Sequence, residues 1–199
     1  MTSSPTPPTL PQVLTQHFEE FASLWEQLLA AVFSPEYLIE DIEELRRRIA
    51  AHLDGLLLGG NETTAMAVES LGGDDPASVF AAAYLLLRIN QPEAANGLVE
   101  VLDSAEPEQL DAVRRALCHG PIDPVRGPLQ EVLASGPAPV AAVAAEVLAV
   151  HGQLDRQTER LAEFVRDEDP NVRCAAWRVF GILDSGEVPW TIRHPATVF

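Results

Sequence analysis

The stretch DRQTERLAEFVRDEDPNVRCAAWRVFGIL, from Asp155 to Leu183, predicts two short helices joined by a sharp corner. The second helix begins at Pro170, and proline is well tolerated at the first position of a helix. The Asp169 carboxylate can accept hydrogen bonds from the free backbone N–H groups at that end. Two adjacent alanines in the second helix are small enough for a neighbouring helix to approach closely. Together these features indicate one unit of a helical repeat.

Weaker copies of this unit precede it, and each begins its second helix at or beside a proline. The prolines at positions 76, 107, 137 and 170 are separated by 31, 30 and 33 residues. An apolar stripe with the spacing of one helix face follows each of them. A period of about 30 residues with two helices per unit is typical of an α-solenoid. The sequence therefore predicts an all-α fold with repeats over residues 61–183.

The chain before the repeats predicts a long helical hairpin over residues 12–60, whose second helix starts at Ser34-Pro35. The first helix carries large apolar side chains at steps of three and four residues: Leu14, Phe18, Phe21, Trp25, Leu28 and Val32. We expect this aromatic face to pack on the first repeat; the alternative is dimerisation. Residues 1–11 predict a disordered, proline-rich leader. Residues 184–199 predict a tail that caps the last repeat or leaves an apolar patch.

The composition indicates a globular protein with a strongly acidic surface. The 199 residues include 30 acidic and 13 basic side chains, giving a formal net charge of −17, and every basic residue is an arginine. This charge disfavours nucleic-acid binding and favours either simple solubility or a basic protein partner. No apolar run reaches the ~20 residues of a membrane span, and residues 1–11 lack a signal-peptide pattern. We therefore expect a cytoplasmic protein that does not bind membranes.

No residue pattern in the chain predicts a catalytic, metal or cofactor site. The five histidines never occur at i,i+4 spacing, and there is no Cys-x-x-Cys pair, phosphate-binding glycine loop or serine-nucleophile motif. Cys118 and Cys174 are expected to be buried apolar residues rather than a disulfide. His52 and Asp54 point to different helix faces, which favours a structural role for the histidine. We expect no enzyme activity.

The repeat unit has a recognisable motif at the start of its second helix. It reads Asp169-Pro170-Asn171-Val172-Arg173-Cys174-Ala175-Ala176. This resembles the HEAT-repeat pattern Asp-Pro-x-Val-Arg-x-x-Ala. The resemblance covers about residues 61–183, although the earlier copies keep the proline or the alanines and lose the arginine. It implies a solenoid whose second helices line a concave, partner-binding face.

A narrower resemblance lies in the N-terminal hairpin. The residues that carry it are Val13, Gln16-His17, Glu20, Leu24-Trp25 and His52-Leu53-Asp54-Gly55-Leu56. They resemble a bacterial family of HEAT-like proteins commonly encoded beside type VI secretion genes and their effectors. The resemblance implies an accessory or immunity role in which the chain binds an effector, and it implies no catalytic residue. The alternatives are a HEAT-like enzyme, a bilin-type small-molecule binding protein and a dimeric scaffold.

Tryptophan and arginine are enriched in binding hot spots and therefore supply the candidate partner-binding residues. These are Arg173, Trp177, Arg178, Arg114, Arg115 and Trp190. The structural alternative is that Arg173 binds an acidic residue of a neighbouring corner while Trp177 packs in the core. The expected partner is another protein, such as a basic toxin or effector that is attracted to the acidic surface.

Overall fold

The computed structural model describes residues 10–89, 92–154 and 159–185, which form ten helices and no strand. In chain order the helices are α1 (Leu10–Phe33), α2 (Ile39–Leu57), α3 (Asn61–Leu71), α4 (Pro76–Ile89), α5 (Pro92–Ser104), α6 (Pro107–His119), α7 (Arg126–Ser135), α8 (Ala138–Val150), α9 (Glu159–Phe164) and α10 (Pro170–Ser185). The all-α prediction is confirmed. Helices α4, α6, α8 and α10 begin at or beside the four regularly spaced prolines.

The four proline-led helices form an inner layer, in which α4, α6, α8 and α10 pack against one another in this order. The other helices that follow α2 cover them: α3 packs on α4, α5 on α4 and α6, α7 on α8, and α9 on α8 and α10. Residues 79–87 of α4 and residues 140–150 of α8 are all buried. Burying one large apolar side chain contributes about 1.5–3 kcal/mol to folding stability. Since these two helices bury every residue over these ranges, they form the centre of the core.

Helices α1 and α2 form the N-terminal hairpin and pack on α4. Trp25 stacks on Phe80 with the ring centroids 4.7 Å apart, and its ring lies 5.3 Å from that of Tyr84. Five of the six stripe residues in α1 are buried, and Val32 is partly buried. The aromatic face of α1 therefore packs on α4, a helix of the first predicted repeat, as expected. It is buried within one chain and is not available for dimerisation.

The start of α2 corrects one sequence prediction, because the helix begins four residues later than Ser34-Pro35 indicated. The Ser34 hydroxyl accepts a hydrogen bond from the Glu36 backbone N–H at 3.3 Å, which makes a turn instead of a helix start. The Leu38 backbone N–H donates to the Asp41 carboxylate at 2.9 Å. That hydrogen bond fixes the first turn of α2 at this later point.

The ends of the chain lie largely outside the described residues. Helix α1 begins at Leu10, two residues before the predicted start at Gln12. The remainder of the predicted leader and residues 186–199 of the predicted tail, with the candidate Trp190, are not among the described residues.

Candidate functional site

A groove crosses the first turns of the inner helices. It consists of two adjoining depressions of about 340 Å³ and 410 Å³ that share Pro107 and Asp111. The first lies between α1, α4 and α6 and has apolar walls that include Leu29 and Phe80. The second lies between α6, α8 and α10 and includes Val143. We call the two depressions together the inner groove, because every inner helix contributes to it.

Local capping explains why the inner helices begin at this groove. The Asp75 carboxylate accepts hydrogen bonds from the Ser78 backbone N–H at 3.0 Å and from its hydroxyl at 2.6 Å. The hydroxyl hydrogen bond is the main reason that the pKa of Asp75 is below its ordinary value. At the last inner helix the Asp169 carboxylate accepts from the Asn171 backbone N–H at 2.8 Å, as the sequence predicted. Each cap satisfies a donor that the first helical turn leaves free.

A three-residue ion cluster lies across α6, α8 and α10 at the second depression. Its centre is Glu146, whose side chain is only 3% exposed. Arg114 donates to one Glu146 oxygen at 2.7 Å, and Arg178 donates to the other from Nη2 at 2.8 Å. Arg114 also binds the Asp111 carboxylate through Nη2 at 2.6 Å. Since a buried charge is costly without partners, these arginines make the burial of Glu146 tolerable.

The three members of this cluster lie at equal intervals in the sequence. Arg114, Glu146 and Arg178 are separated by 32 residues in each step and occupy three successive inner helices. Sequence reasoning missed Glu146, although it is the only charged residue of α8. The available signal was a lone carboxylate in an otherwise apolar helix. One arginine lies one sequence period before it, and another lies one period after it.

The charges of the cluster reinforce one another. Burial alone would raise the pKa of Asp111, but Arg114 and Arg115 keep it below its ordinary value. Burial alone would lower the pKa of Arg114, and the charge of Glu146 raises it instead. Cys118 is buried close to the cluster. Its burial raises the pKa of the thiol to about 12, and the charge of Glu146 adds to this effect. Cys118 is therefore a protonated thiol at neutral pH and is not an activated nucleophile.

The structure brings three of the candidate partner-binding residues together at the groove. Arg114 and Arg178 line the second depression, and Arg115 lines the first. Arg115 binds the Asp111 carboxylate at 2.7 Å. The other described candidates, Arg173 and Trp177, do not line either depression.

The structural alternative for Arg173 and Trp177 is wrong in both parts. Trp177 is 63% exposed and lies beside Phe180 with ring centroids 6.0 Å apart, because the buried face of α10 consists of other residues: Val172, Ala175, Ala176, Val179 and Ile182. Arg173 donates to the backbone carbonyls of Asp167 at 2.8 Å and Glu168 at 2.7 Å. Arg173 therefore stabilises the corner that precedes its own helix and, within the described residues, does not bind an acidic residue of a neighbouring corner.

The two cysteines occupy different environments, although both were expected to be buried. Both are free thiols, and Cys118 is buried as predicted. Cys174 is exposed and lines the second depression, so its prediction is wrong. It lies on the open side of α10, two positions from the buried Val172, and the helical repeat turns it away from the core.

Two of the hairpin residues that carry the narrower resemblance meet in space. His17 of α1 and His52 of α2 are joined by a hydrogen bond between their Nδ1 atoms at 3.0 Å. Gly55 lies directly below, where an added Cβ would come within 3.0 Å of the His17 ring. One ring must be neutral at Nδ1 to accept this hydrogen bond. The contact joins the two helices of the hairpin and is consistent with the structural role expected for His52.

The described part of the chain offers no preformed metal centre, since no three of its His, Cys, Asp and Glu side chains come together as ligands. Within the same ranges, no helix has both the length and the apolar character needed to cross a lipid bilayer. Comparison of the sequence with protein-family models gave no match. Comparison with curated proteins gave no significant match either.

Proposed function

We propose that the chain is a non-enzymatic α-solenoid that binds another protein along the inner groove. The observation that carries the solenoid is the 32-residue interval of Arg114, Glu146 and Arg178 across three successive helices. Equivalent positions in stacked repeats lie next to one another, so a side-chain ladder at a constant interval is the expected mark of a repeat array. The order of packing in the inner layer supports the same architecture.

The charge of the groove indicates the chemistry of the partner. The three arginines that line it are already bound to Asp111 and Glu146. The exposed carboxylates of Glu26 and Glu108 line the first depression beside its apolar walls. Such a surface favours an apolar segment flanked by lysine or arginine, and the net charge of −17 would speed its approach. The same charge disfavours nucleic acid as the partner.

We place this binding function in a type VI secretion setting, as an accessory or immunity protein that binds a basic effector in the cytoplasm. This part of the proposal rests on the hairpin residues that resemble the secretion-associated family. Two residues of that set, His17 and His52, contact each other across the hairpin. The two free thiols suit the reducing cytoplasm.

Affinity capture with matched charge variants tests the proposal. Tagged wild-type protein, Glu26→Lys/Glu108→Lys and Glu19→Lys/Glu62→Lys are used as baits in the organism that encodes the chain. The second pair is exposed, lies outside the groove and changes the net charge equally. We expect wild type and the control to retain the same stoichiometric basic protein and the groove variant to lose it. A partner that binds the groove variant as well as it binds wild type contradicts the proposal.

A further inference from the structure

A second concave site lies apart from the inner groove. It is a cavity of about 660 Å³ between α1, α2 and α4. Three arginines line it: Arg46, Arg47 and Arg88. Among the described residues, none lines both this cavity and a depression of the groove. Its volume is in the range of small-molecule sites, which are about 300–1,000 Å³.

Two buried donors beside this cavity lack acceptors. Trp25 is only 2% exposed, and its indole N–H has no hydrogen-bond partner among the described residues. The same is true of the enclosed Nε of Arg46. Buried donors are normally satisfied, and an unsatisfied one destabilises the folded protein. Both residues line the cavity, so a small shift of either side chain would bring its unsatisfied donor to a molecule bound there.

The charge balance of the cavity favours an anion. Arg47 forms an ion pair with Glu44, whereas Arg46 and Arg88 have no ion pair with any described carboxylate. Of the described residues that line the cavity, Asp54 is the single acid against three arginines. This local excess of positive charge occurs in a chain with more than twice as many acids as arginines. It marks a place where a negative group is stabilised.

The remaining walls are suited to an apolar body. Ile49, Leu53 and the ring of Tyr84 line the cavity together with Trp25. Burial raises the pKa of the Tyr84 phenol and outweighs the charge and hydrogen bond of Arg88, so the phenol is neutral at physiological pH. The walls thus combine aliphatic and aromatic surface with planar guanidinium groups. Such a combination is suited to the two ends of an amphipathic molecule.

We propose that this cavity binds a small organic anion, with its carboxylate or phosphate group held by Arg46 and Arg88 and its apolar body against Trp25. The planar guanidinium groups match the oxygens of either anion in a two-point geometry. This site does not depend on the protein partner of the groove, and a purified sample tests it alone.

Trp25 is the natural reporter for this binding. The chain has three tryptophans, so Trp177→Phe/Trp190→Phe leaves Trp25 as the only one. The fluorescence of this protein is followed during titration with inorganic phosphate, phenyl phosphate and benzoate. We expect a saturable change with at least one aromatic anion, which binds at least about tenfold more tightly than inorganic phosphate because its ring is buried. A preference for phenyl phosphate or for benzoate identifies the anionic group.

Substitution of the arginines provides the second arm of the experiment. Arg46→Gln and Arg88→Gln should each weaken binding at least about tenfold, as expected for the loss of a charge-assisted hydrogen bond. Arg48→Gln is the control, because Arg48 lies near Glu20 outside the cavity and should change the affinity less than about twofold. Circular dichroism verifies that each variant is folded. Arg46→Lys keeps the positive charge but lacks the planar guanidinium group, and it should bind with intermediate affinity. No saturable signal with any probe, or equal weakening by Arg48→Gln, overturns the proposal.

Discussion

Arg178 and Glu146 form a two-point ion pair between neighbouring inner helices, in which Nε of the arginine lies 3.1 Å and Nη2 lies 2.8 Å from the same carboxylate oxygen. Glu146 is buried, whereas the Arg178 side chain is 49% exposed. Arg114 binds the opposite oxygen from α6. Because the two arginines share one buried carboxylate, either can partly neutralise it when the other is removed.

This shared carboxylate leads to a prediction about non-additive stability. Arg114→Ala or Arg178→Ala alone should lower the free energy of unfolding by about 1–2 kcal/mol, since one arginine remains. The double variant leaves a buried charge without a partner and should lose about 3–5 kcal/mol or more. Adding Glu146→Gln to the double variant should restore part of the stability, as measured by urea unfolding. A triple variant no more stable than the double would show that the buried charge is not the cause.

Two glycines should respond to alanine in opposite directions. At Gly120 an added Cβ would lie 2.5 Å from Cδ1 of the buried Leu87 and 3.0 Å from the Ala116 carbonyl oxygen. Gly120→Ala should therefore lower stability by about 1–3 kcal/mol through overpacking. At Gly181 in α10 no atom of the described residues lies within 4 Å, so Gly181→Ala should raise stability by about 0.5–1 kcal/mol through helix propensity. Thermal unfolding of the two variants checks both signs, and a shift in the same direction would contradict the packing described.

The cysteines should differ sharply in reactivity. Cys174 is exposed, whereas Cys118 is buried with its pKa raised to about 12. A thiol reagent at neutral pH should therefore modify one cysteine of the folded protein and both cysteines in denaturant. Cys174→Ser should abolish the reaction of the folded state. Labelling of the folded Cys174→Ser variant at the wild-type rate would mean that Cys118 is accessible.

The histidine pair should make stability depend on pH. Burial, followed by the charge of His17, lowers the pKa of His52, with Arg48 acting in the same direction and Glu20 opposing it. The unfolded state therefore binds a proton first, and stability should fall as the pH falls below about 6.5. Urea unfolding at pH about 7.5 and about 5.5 measures this loss. His52→Gln should show a smaller loss than wild type; an equal loss would assign the effect to other groups.

Local chemistry made much of the fold predictable from the sequence. The Asp169 cap, Pro170 at the first helical position and the α1 stripe each depend on residues within a few positions of one another. The exposure of Trp177 could also have been predicted, because Val172, Ala176 and Val179 define a buried face of α10 that does not include it. The start of α2 was mistaken because Asp41, not Ser34, provides its cap.

The candidate sites depend instead on contacts that sequence spacing does not display. The Glu146 cluster joins residues 32 positions apart, and the His17–His52 contact spans 35 positions. The anion cavity is harder still to predict, since Trp25 belongs to the core stripe and Arg46 and Arg47 resemble an ordinary solvated helix face. Only the packing of α1, α2 and α4 places these side chains around one space.

Site-specific photocrosslinking tests protein binding along the inner groove most directly. A photoreactive amino acid replaces Glu108, which is exposed in the groove, or Glu69, which is exposed on α3 outside it. Both proteins are produced in the organism that encodes the chain, and covalent adducts are identified by mass spectrometry. We expect one abundant adduct from position 108, with a basic protein, and none with that protein from position 69. Adducts with the same protein from position 69 alone would contradict the account, because the binding surface would then lie outside the groove.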